Sequence, residues 1–373
     1  MTYIIVLLLM LPLDYLANKL KMPKLIFYLF AGIILGPYAL KVISFENTLV
    51  IRQAALLTIM LRSGLGLSFK ALKKVGKPAI LLSFLPGIIE ASSIAILSTF
   101  FFDFSLTQGF ILGFMIAAVS PAVVVPAMLK LQDKKIGKYF PSMILASSAV
   151  DDVVALSFFT FFTSLFFNSE VSIISNFAII PIKMILSFTL GYAIVYFIRK
   201  IKKINILIII SLAVLAIIFE DNLAISALIF ILAMAMSLSK WDKTSAGLLK
   251  SGSKKVWSFV QLFLFISVGS ELNVFSLKSV FFLGVIIILV GLIFRSIGIF
   301  IATYNFSLKE KVFSTIAFMP KATVQAAVAT VPLEKNITGG NIMLLITILA
   351  IILTTPIGAF LIDYLSPKLL NKE

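Results

Sequence analysis

Long apolar runs, separated by short polar segments, follow one another along the whole chain. A helix needs about 20 such residues to cross the hydrocarbon core of a bilayer. We therefore predict an all-α polytopic membrane protein with about 13 transmembrane helices, one for each run. The runs are 2–17, 24–40, 48–67, 78–101, 107–130, 141–167, 171–198, 204–219, 222–239, 256–272, 277–304, 310–332 and 339–365.

The residue composition agrees with this class of protein. Hydrophobic residues make up 61% of the 373 positions, whereas soluble domains contain roughly 45–50%. Cysteine and histidine are both absent, which excludes disulfides, thiol chemistry and the usual side-chain ligand of transition metals. A proton carried by this chain must therefore bind a carboxylate, a lysine or water, and we expect no cofactor.

The basic residues that give the chain its formal net charge of +16 are concentrated in every second loop between the apolar runs. Loops after odd-numbered runs are basic, whereas loops after even-numbered runs hold few cations and several acids. The positive-inside rule then places the N-terminus outside and the C-terminus in the cytoplasm. We expect a plasma-membrane protein whose cations face anionic lipid, with no nucleic acid as a partner. The basic groups include Lys19, Lys21 and Lys24; Lys70, Lys73, Lys74 and Lys77; Lys130, Lys134, Lys135 and Lys138; Arg199, Lys200, Lys202 and Lys203; and Lys309 and Lys311.

Two runs contain helix-breaking residues near their middle. The fifth includes Ser120–Pro126, with prolines at both positions 121 and 126, and the twelfth includes Pro320–Thr323. Proline removes a helical hydrogen bond, and non-helical backbone at membrane depth occurs only where it is buried or lines a cavity. The two runs are seven apart in order, and an odd offset reverses direction. We therefore predict inverted repeats at 1–167 and 204–365, joined by a linker helix at 171–198. Ordinary proline kinks are the alternative.

Asp151 and Asp152 stand side by side in a run that is otherwise free of charge. Burying a carboxylate in a bilayer is costly, and two adjacent anions also repel each other. A mobile positive species such as a proton or a small cation would offset that cost, which favours ion transport. The two side chains point about 100° apart on a helix. Ser147 and Ser148 lie one turn earlier and could offer oxygens to a cation. A structural ion pair with a lysine or arginine is the alternative, above all for Asp151.

Three other intramembrane charges invite pairing. Glu90 and Arg295 lie in runs four and eleven, which are equivalent under the inverted repeat, so we predict a salt bridge whose role is structural. Arginine keeps its proton in proteins, so Arg295 is excluded as a proton carrier. Lys321 lies on the second break, where it can neutralise exposed helix carbonyls. A titrating role for Lys321 is the alternative.

Several strings along the chain resemble the monovalent cation:proton antiporters, and most of all their NHA-type sodium/proton exchangers (solute carrier family 9, subfamily B). The resemblance implies an NhaA-type fold with two broken crossover helices and a homodimer. It divides the chain into core helices at about 78–167 and 277–365 and scaffold helices at about 1–67 and 171–272. The strings are 61–67 (LRSGLGL), 86–91 (PGIIEA), 109–114 (GFILGF), 118–126 (AVSPAVVVP), the Asp151–Asp152 pair, Phe294–Arg295 and 320–327 (PKATVQAA).

The resemblance also implies a function. It is that of a secondary antiporter exchanging Na⁺ or Li⁺ for H⁺ by an elevator movement, in which Asp152 binds the cation and Asp151 assists. Arg295 stands where many electrogenic relatives carry a lysine, which favours one-for-one exchange. The Ala122–Val125 segment is apolar where other exchangers place an acid. The candidate ion-binding residues are Asp151, Asp152, Ser120, Ser147 and Ser148, with Glu90, Arg295 and Lys321 as core electrostatics.

Other functions compete with this interpretation. An intramembrane aspartyl protease would place its two aspartates on two helices around one water, which adjacent residues cannot do. A channel would need a filter-like repeat, and none is seen. A K⁺/H⁺ antiporter and a sodium-coupled solute symporter on a related fold stay open. We therefore predict a transporter of monovalent cations and protons, and no enzyme.

Overall fold

The structure, a computed structural model, describes residues 2–20, 22–45, 48–66, 76–137, 139–167, 173–201, 205–219 and 225–370; over 173–181 and at 201 only the backbone is described. Within these ranges the fold is all-helical and contains no β-strand. The first eight helices are α1 (Thr2–Leu20), α2 (Lys24–Leu35), α3 (Leu49–Gly66), α4 (Lys77–Phe102), α5 (Leu106–Ala117), α6 (Pro121–Asp133), α7 (Phe140–Phe167) and α8 (Ile173–Ile201). The remaining eight are α9 (Ile206–Ile218), α10 (Ala227–Trp241), α11 (Lys243–Ser270), α12 (Val274–Ala302), α13 (Leu308–Ala317), α14 (Thr323–Val328), α15 (Val331–Glu334) and α16 (Gly340–Leu369).

Each predicted apolar run overlaps a helix, and the fifth and twelfth runs are each split into shorter helices. Eight helical segments of the described residues are long and apolar enough to cross a membrane. Thirteen crossings therefore stay a prediction. One boundary differs clearly, because α11 begins in the polar stretch well before the apolar run at 256–272. The Asp242 carboxylate accepts hydrogen bonds from the backbone N–H groups of Thr244 and Ser245, and this N-cap starts the helix early.

One group of helices packs around α4. Helix α12 lies antiparallel against it, and a Cβ added at Gly298 would come within 2.7 Å of the Pro86 backbone. Helix α5 contacts another face of α4, where Gly109 and Gly113 approach its backbone equally closely. Small residues allow such close helix contacts in membrane proteins. Helix α7, which carries the two aspartates, packs against α4, α5 and α6.

A second group is formed by α2, α3, α8, α10 and α11. Helices α2 and α11 touch along Gly32 and Gly269, where each glycine faces the backbone of the other helix. Helix α10 packs between α3 and α8. These two groups correspond in sequence to the predicted core and scaffold helices, and their division into separately moving domains stays a prediction.

Candidate ion-binding site

The breaks in the two interrupted runs lie against each other. Helix α5 ends at Ala117 and α6 begins at Pro121, while α13 ends at Ala317 and α14 begins at Thr323. The backbone N–H of Ser120 donates a hydrogen bond of 2.8 Å to the carbonyl oxygen of Pro320. Proline at the first position of α6 has no N–H, so it removes one of the N–H groups that the start of a helix leaves unpaired. Two non-helical segments are thus joined in the protein interior.

Side chains from the second half of the chain satisfy the carbonyl groups at the end of α5. The side-chain amide of Gln325 donates to the carbonyl oxygens of Ile116 at 3.1 Å and Ala118 at 2.6 Å. The Arg295 guanidinium and the Lys321 ammonium both donate to the carbonyl oxygen of Ala117, the latter at 3.3 Å. The groups left unpaired by a helix end are costly when buried, and here they are bonded.

The second break is held by α16. The backbone N–H of Lys321 donates to the hydroxyl of Thr354 at 2.9 Å, and the hydroxyl of Thr355 donates to the Lys321 carbonyl. Gly358, one turn further along, leaves room for the Pro320 ring, because a Cβ there would lie 2.5 Å from the ring. Helix α16 therefore fixes the non-helical backbone of the second break.

Five charged side chains are buried within the described residues, and four of them form one network. The Arg295 guanidinium bridges the Glu90 and Asp151 carboxylates, with its second nitrogen 3.2 and 3.1 Å from the two Asp151 oxygens. The Lys321 ammonium lies 2.8 Å from the same Glu90 oxygen. The predicted Glu90–Arg295 salt bridge is therefore present, and Lys321 and Asp151 extend it. The fifth buried charge is Asp152.

Asp151 and Asp152 have opposite surroundings. The Asp151 carboxylate accepts a further hydrogen bond from the Val119 backbone N–H at 3.1 Å, which ties it to the first break. It also lies close to α4, since a methyl group added at Gly87 would sit 3.2 Å from its Oδ1. Neither oxygen of Asp152 has a hydrogen-bond partner in the part of the chain that the structure describes, although both are buried. Within the described residues Asp152 is the buried carboxylate with both oxygens unpartnered, whereas Glu90 has only its Oε1 free.

The three candidate serines are all buried but differ in their bonding. Ser147 donates its hydroxyl to the Ala79 carbonyl of α4 at 3.0 Å, and Ser148 donates to the Leu145 carbonyl of its own helix at 3.2 Å. The hydroxyl of Ser120 has no partner among the described residues. In this structure, therefore, Ser120 offers a free hydroxyl at the break, while Ser147 and Ser148 bond to backbone rather than to the aspartates.

Two substitutions separate these serines. We expect Ser148→Ala to change the apparent cation affinity less than about twofold, because its hydroxyl serves its own helix, a contact worth only about 1 kcal/mol or less. We expect Ser120→Ala to weaken that affinity about three- to tenfold, since it removes one free oxygen. Cation-dependent transport in proteoliposomes measures both. An equal loss in the two variants would contradict this distinction.

The remaining intramembrane cations of the sequence lie outside this network. Arg62 of α3 stacks over the ring of Trp257 at 5.6 Å, and Lys183 is exposed on α8. Sequence reasoning missed Gln325, Thr354 and Thr355 as groups that hold the breaks. The only signal for Gln325 was an uncharged polar residue four positions after Lys321, inside the 320–327 string.

Taken together, interrupted helices that meet in the protein interior around buried carboxylates define an integral, multi-pass membrane protein built on a transporter fold. The chain belongs to the sodium/hydrogen exchanger family, because the model of that family, described as the transmembrane sodium/hydrogen exchanger, matches residues 4–365. It is 34% identical over 349 residues to the sodium/hydrogen exchanger 9B2 of Xenopus tropicalis, covering 87% of this chain and 64% of that protein. It is 31% identical over 395 residues to the sodium/hydrogen exchanger 9B1 of Macaca fascicularis, covering 94% of this chain and 74% of that protein.

The fold is shared with a solved transporter. The structure of the sodium proton antiporter MjNhaP1 from Methanocaldococcus jannaschii at pH 8 superposes with a TM-score of 0.85 at 20% sequence identity, covering 98% of this chain and 97% of that chain. The family model and the 9B2 and 9B1 relatives confirm the resemblance to the subfamily B exchangers, while the solved structure shows the shared fold. The chain spans 64% of the length of the Xenopus exchanger that it matches.

Proposed function

We propose that this chain is a secondary active antiporter that exchanges Na⁺ or Li⁺ for H⁺, one for one, with Asp152 binding each in turn. The names of the relatives, which are exchangers and thus transporters rather than enzymes, support the reaction class. The observation that carries the assignment to Asp152 is its isolation. It is the only buried carboxylate within the described residues with neither oxygen bonded.

The charges of the buried cluster support a one-for-one exchange. Glu90, Asp151 and Asp152 contribute three negative charges, and Arg295 and Lys321 contribute two positive charges. With all five groups ionised, the difference, 3 − 2, leaves one uncompensated negative charge at the site. A single monovalent cation or a single proton neutralises it. Since each alternative brings the same charge, exchange of one for the other moves no net charge across the membrane.

The same charges explain why transport is coupled. A site carrying an uncompensated negative charge is expensive to move through an apolar barrier, whereas a neutralised site is not. The core therefore crosses when it is loaded with a cation or with a proton. Because the two compete for Asp152, raising the pH raises the apparent affinity for the cation.

The arrangement of the helices supports the alternating-access part of the proposal. Helices α4 and α12, from runs four and eleven, lie antiparallel and carry the paired Glu90 and Arg295, as inverted repeats require. We extend the proposal to an elevator movement of the core helices against a dimeric scaffold. About 13 crossings, an outside N-terminus, a cytoplasmic C-terminus and a plasma-membrane location complete it.

The proposal is tested by proton movement in proteoliposomes. A pH gradient is set across vesicles containing the purified chain, and Na⁺, Li⁺ or K⁺ is added in turn. We expect Na⁺ and Li⁺ to dissipate the gradient. Dissipation by K⁺ alone would keep the mechanism and change the substrate, whereas no response to any cation from folded protein would overturn antiport.

A cavity of about 920 Å³ opens beside the first break. It lies between the α1–α2 connection at Met22 and Pro23 on one side, and Ala122 and Val123 of α6 on the other. Lys130, in the last turn of α6, also lines the cavity and belongs to a group of basic residues that the charge pattern assigns to the cytoplasm. We therefore interpret the structure as an inward-facing state, in which this cavity opens toward the cytoplasm.

The opposite side of the protein holds an ion pair between the two helix groups. Arg52 at the start of α3 pairs with Glu334 of α15. The Glu334 carboxylate also accepts hydrogen bonds from the hydroxyls of Thr48 at 2.9 Å and Thr330 at 2.7 Å. A core that moves against the scaffold must break this contact, so it stabilises the state seen here.

We expect Arg52→Gln to shift the protein away from this inward-facing state. Partly exposed ion pairs contribute up to about 1 kcal/mol, so the expected change in the equilibrium is about two- to fivefold.

The chain has no cysteine, so Ala122→Cys provides a single reporter in the cavity. Its modification from the cytoplasmic side, which follows the fraction of inward-facing molecules, should slow by up to that factor in the Arg52→Gln background. Lys24→Gln, which removes an ion pair between neighbouring α1 and α2, is the control and should leave the rate unchanged. Equal rates in all three proteins would contradict the role of Arg52.

A further inference from the structure

Gln325 is completely buried in the first turn of α14, and its amide orientation is fixed by its surroundings. The side-chain nitrogen donates to the carbonyl oxygens of Ile116 and Ala118. A primary amide has two hydrogens, and two carbonyl acceptors use both of them. Rotating the amide by half a turn would set its oxygen against those two carbonyl oxygens. The direction in which Oε1 points is therefore determined.

The Oε1 atom of Gln325 has no hydrogen-bond donor among the described residues. A buried acceptor without a partner costs about 1–3 kcal/mol, so it calls for a reason. Other buried oxygens at the two breaks and beside them also lack a partner among the described residues, namely Ser120 Oγ, Thr323 Oγ1, Glu90 Oε1 and both carboxylate oxygens of Asp152, whereas Arg295 Nε is the one nitrogen there that does. Oxygen atoms that lack donors are the ligands a hard cation prefers.

Gln325 is connected to the aspartate pair through the first break. Ala118, whose carbonyl it holds, is followed directly by Val119, whose N–H binds Asp151. Ser120 comes next in the chain, and its backbone N–H is bonded to the second break. The segment 118–120 therefore connects these groups. It carries the free Ser120 hydroxyl, and it is bonded both to the amide of Gln325 and to Asp151 of α7.

We propose that Gln325 contributes its Oε1 as a neutral ligand to the transported cation, while its NH₂ group holds the end of α5. This inference rests on the proposed cation/proton exchange. A proton needs only the carboxylate of Asp152, whereas an alkali cation needs several oxygens to replace its water shell. Gln325 therefore discriminates between the two species that share the site, and sets the affinity for the cation without setting that for the proton.

Three variants test the assignment. Gln325→Met keeps the length of the side chain but removes both the oxygen and the NH₂ group. Gln325→Glu keeps an oxygen at the end of the side chain and removes the NH₂ group. Gln132→Met is the matched control, because it makes the same glutamine-to-methionine change away from the breaks. Gln132 lies near the end of α6, where its amide donates to the Ser142 hydroxyl at 3.0 Å. The apparent KM for Na⁺ and Li⁺ and the apparent affinity for the proton are measured in proteoliposomes, after thermal melting has shown that each variant is folded.

We expect Gln325→Met to raise the apparent KM for the cation at least about tenfold while the proton affinity stays within about twofold. Gln325→Glu is expected to match or improve on the cation affinity of the wild type, and Gln132→Met to behave as the wild type. A rise in KM shared by the Met and Glu variants, or a lower rate with unchanged KM, would show that Gln325 only holds the break. If Gln325→Met does not fold, Gln325→Glu still decides, because a weaker cation affinity than wild type overturns the ligand role. Absence of exchange by the wild type would instead refute the proposed function itself.

Discussion

Asp152→Asn is expected to abolish cation/proton exchange. The substitution removes one buried negative charge and the carboxylate that we propose binds either ion, whose two oxygens have no partner within the described residues. Two opposite charges in contact attract each other by roughly 4 kcal/mol near a protein surface, so cation affinity should fall at least about 100-fold. Exchange in proteoliposomes and Na⁺-dependent thermal stabilisation in detergent both measure this loss.

The folding of Asp152→Asn serves as an internal check. Neither Asp152 oxygen accepts a hydrogen bond within the described chain, so exchanging the carboxylate for an amide breaks no contact and removes a buried charge. The melting temperature without cation is therefore expected to equal or exceed that of the wild type. Asp133→Asn, which alters an exposed carboxylate at the end of α6, is the matched control and should transport normally. Unimpaired exchange by Asp152→Asn would refute the assignment.

Arg295→Met is expected to destabilise the protein by about 3–5 kcal/mol, because it leaves buried anions without their partner. The Arg295 guanidinium contacts Glu90, Asp151 and the Ala117 carbonyl, so its loss affects α4, α7 and the first break together. Thermal unfolding in detergent measures the effect. Arg295→Lys keeps the charge but offers only one nitrogen, and an intermediate value is expected.

The control for Arg295→Met is Arg52→Met. Arg52 belongs to a partly exposed ion pair, and such pairs contribute about 1 kcal/mol or less. A large difference between the two arginines is therefore expected, although each pairs with a glutamate. Equal melting temperatures for Arg295→Met and the wild type would contradict the structural role of the buried network.

Much of the fold follows from patterns that a single sequence displays. The apolar runs and the prolines near 120 and 320 predict the helices and their breaks, because lipid and backbone hydrogen bonding leave few alternatives. The salt bridge between Glu90 and Arg295 was also predicted correctly. The inverted repeat makes runs four and eleven equivalent, so the two residues could be paired before any contact between them was known. The start of α11 was missed, because a single N-cap at Asp242 extended a helix through a polar stretch.

The details of the site depend on three-dimensional contacts that periodicity does not encode. Ser147 lies one turn before Asp151, yet its hydroxyl bonds the Ala79 carbonyl, because α4 packs against α7 at this position. Gln325 bonds carbonyl groups more than 200 positions away in the chain. No spacing rule could have found that pairing. The roles of the two aspartates, of Ser120 and of Lys321 in transport stay predictions.

The most direct test is the number of protons released when a cation binds. Isothermal titration of purified protein with NaCl, in buffers of different ionisation enthalpy and at a pH where the site holds its proton, gives that number. We expect about one proton released for each Na⁺ bound by the wild type, because both compete for the one uncompensated charge at Asp152, and no measurable binding to Asp152→Asn. Sodium binding without proton release, or proton-coupled binding that persists in Asp152→Asn, would contradict a shared site at this residue.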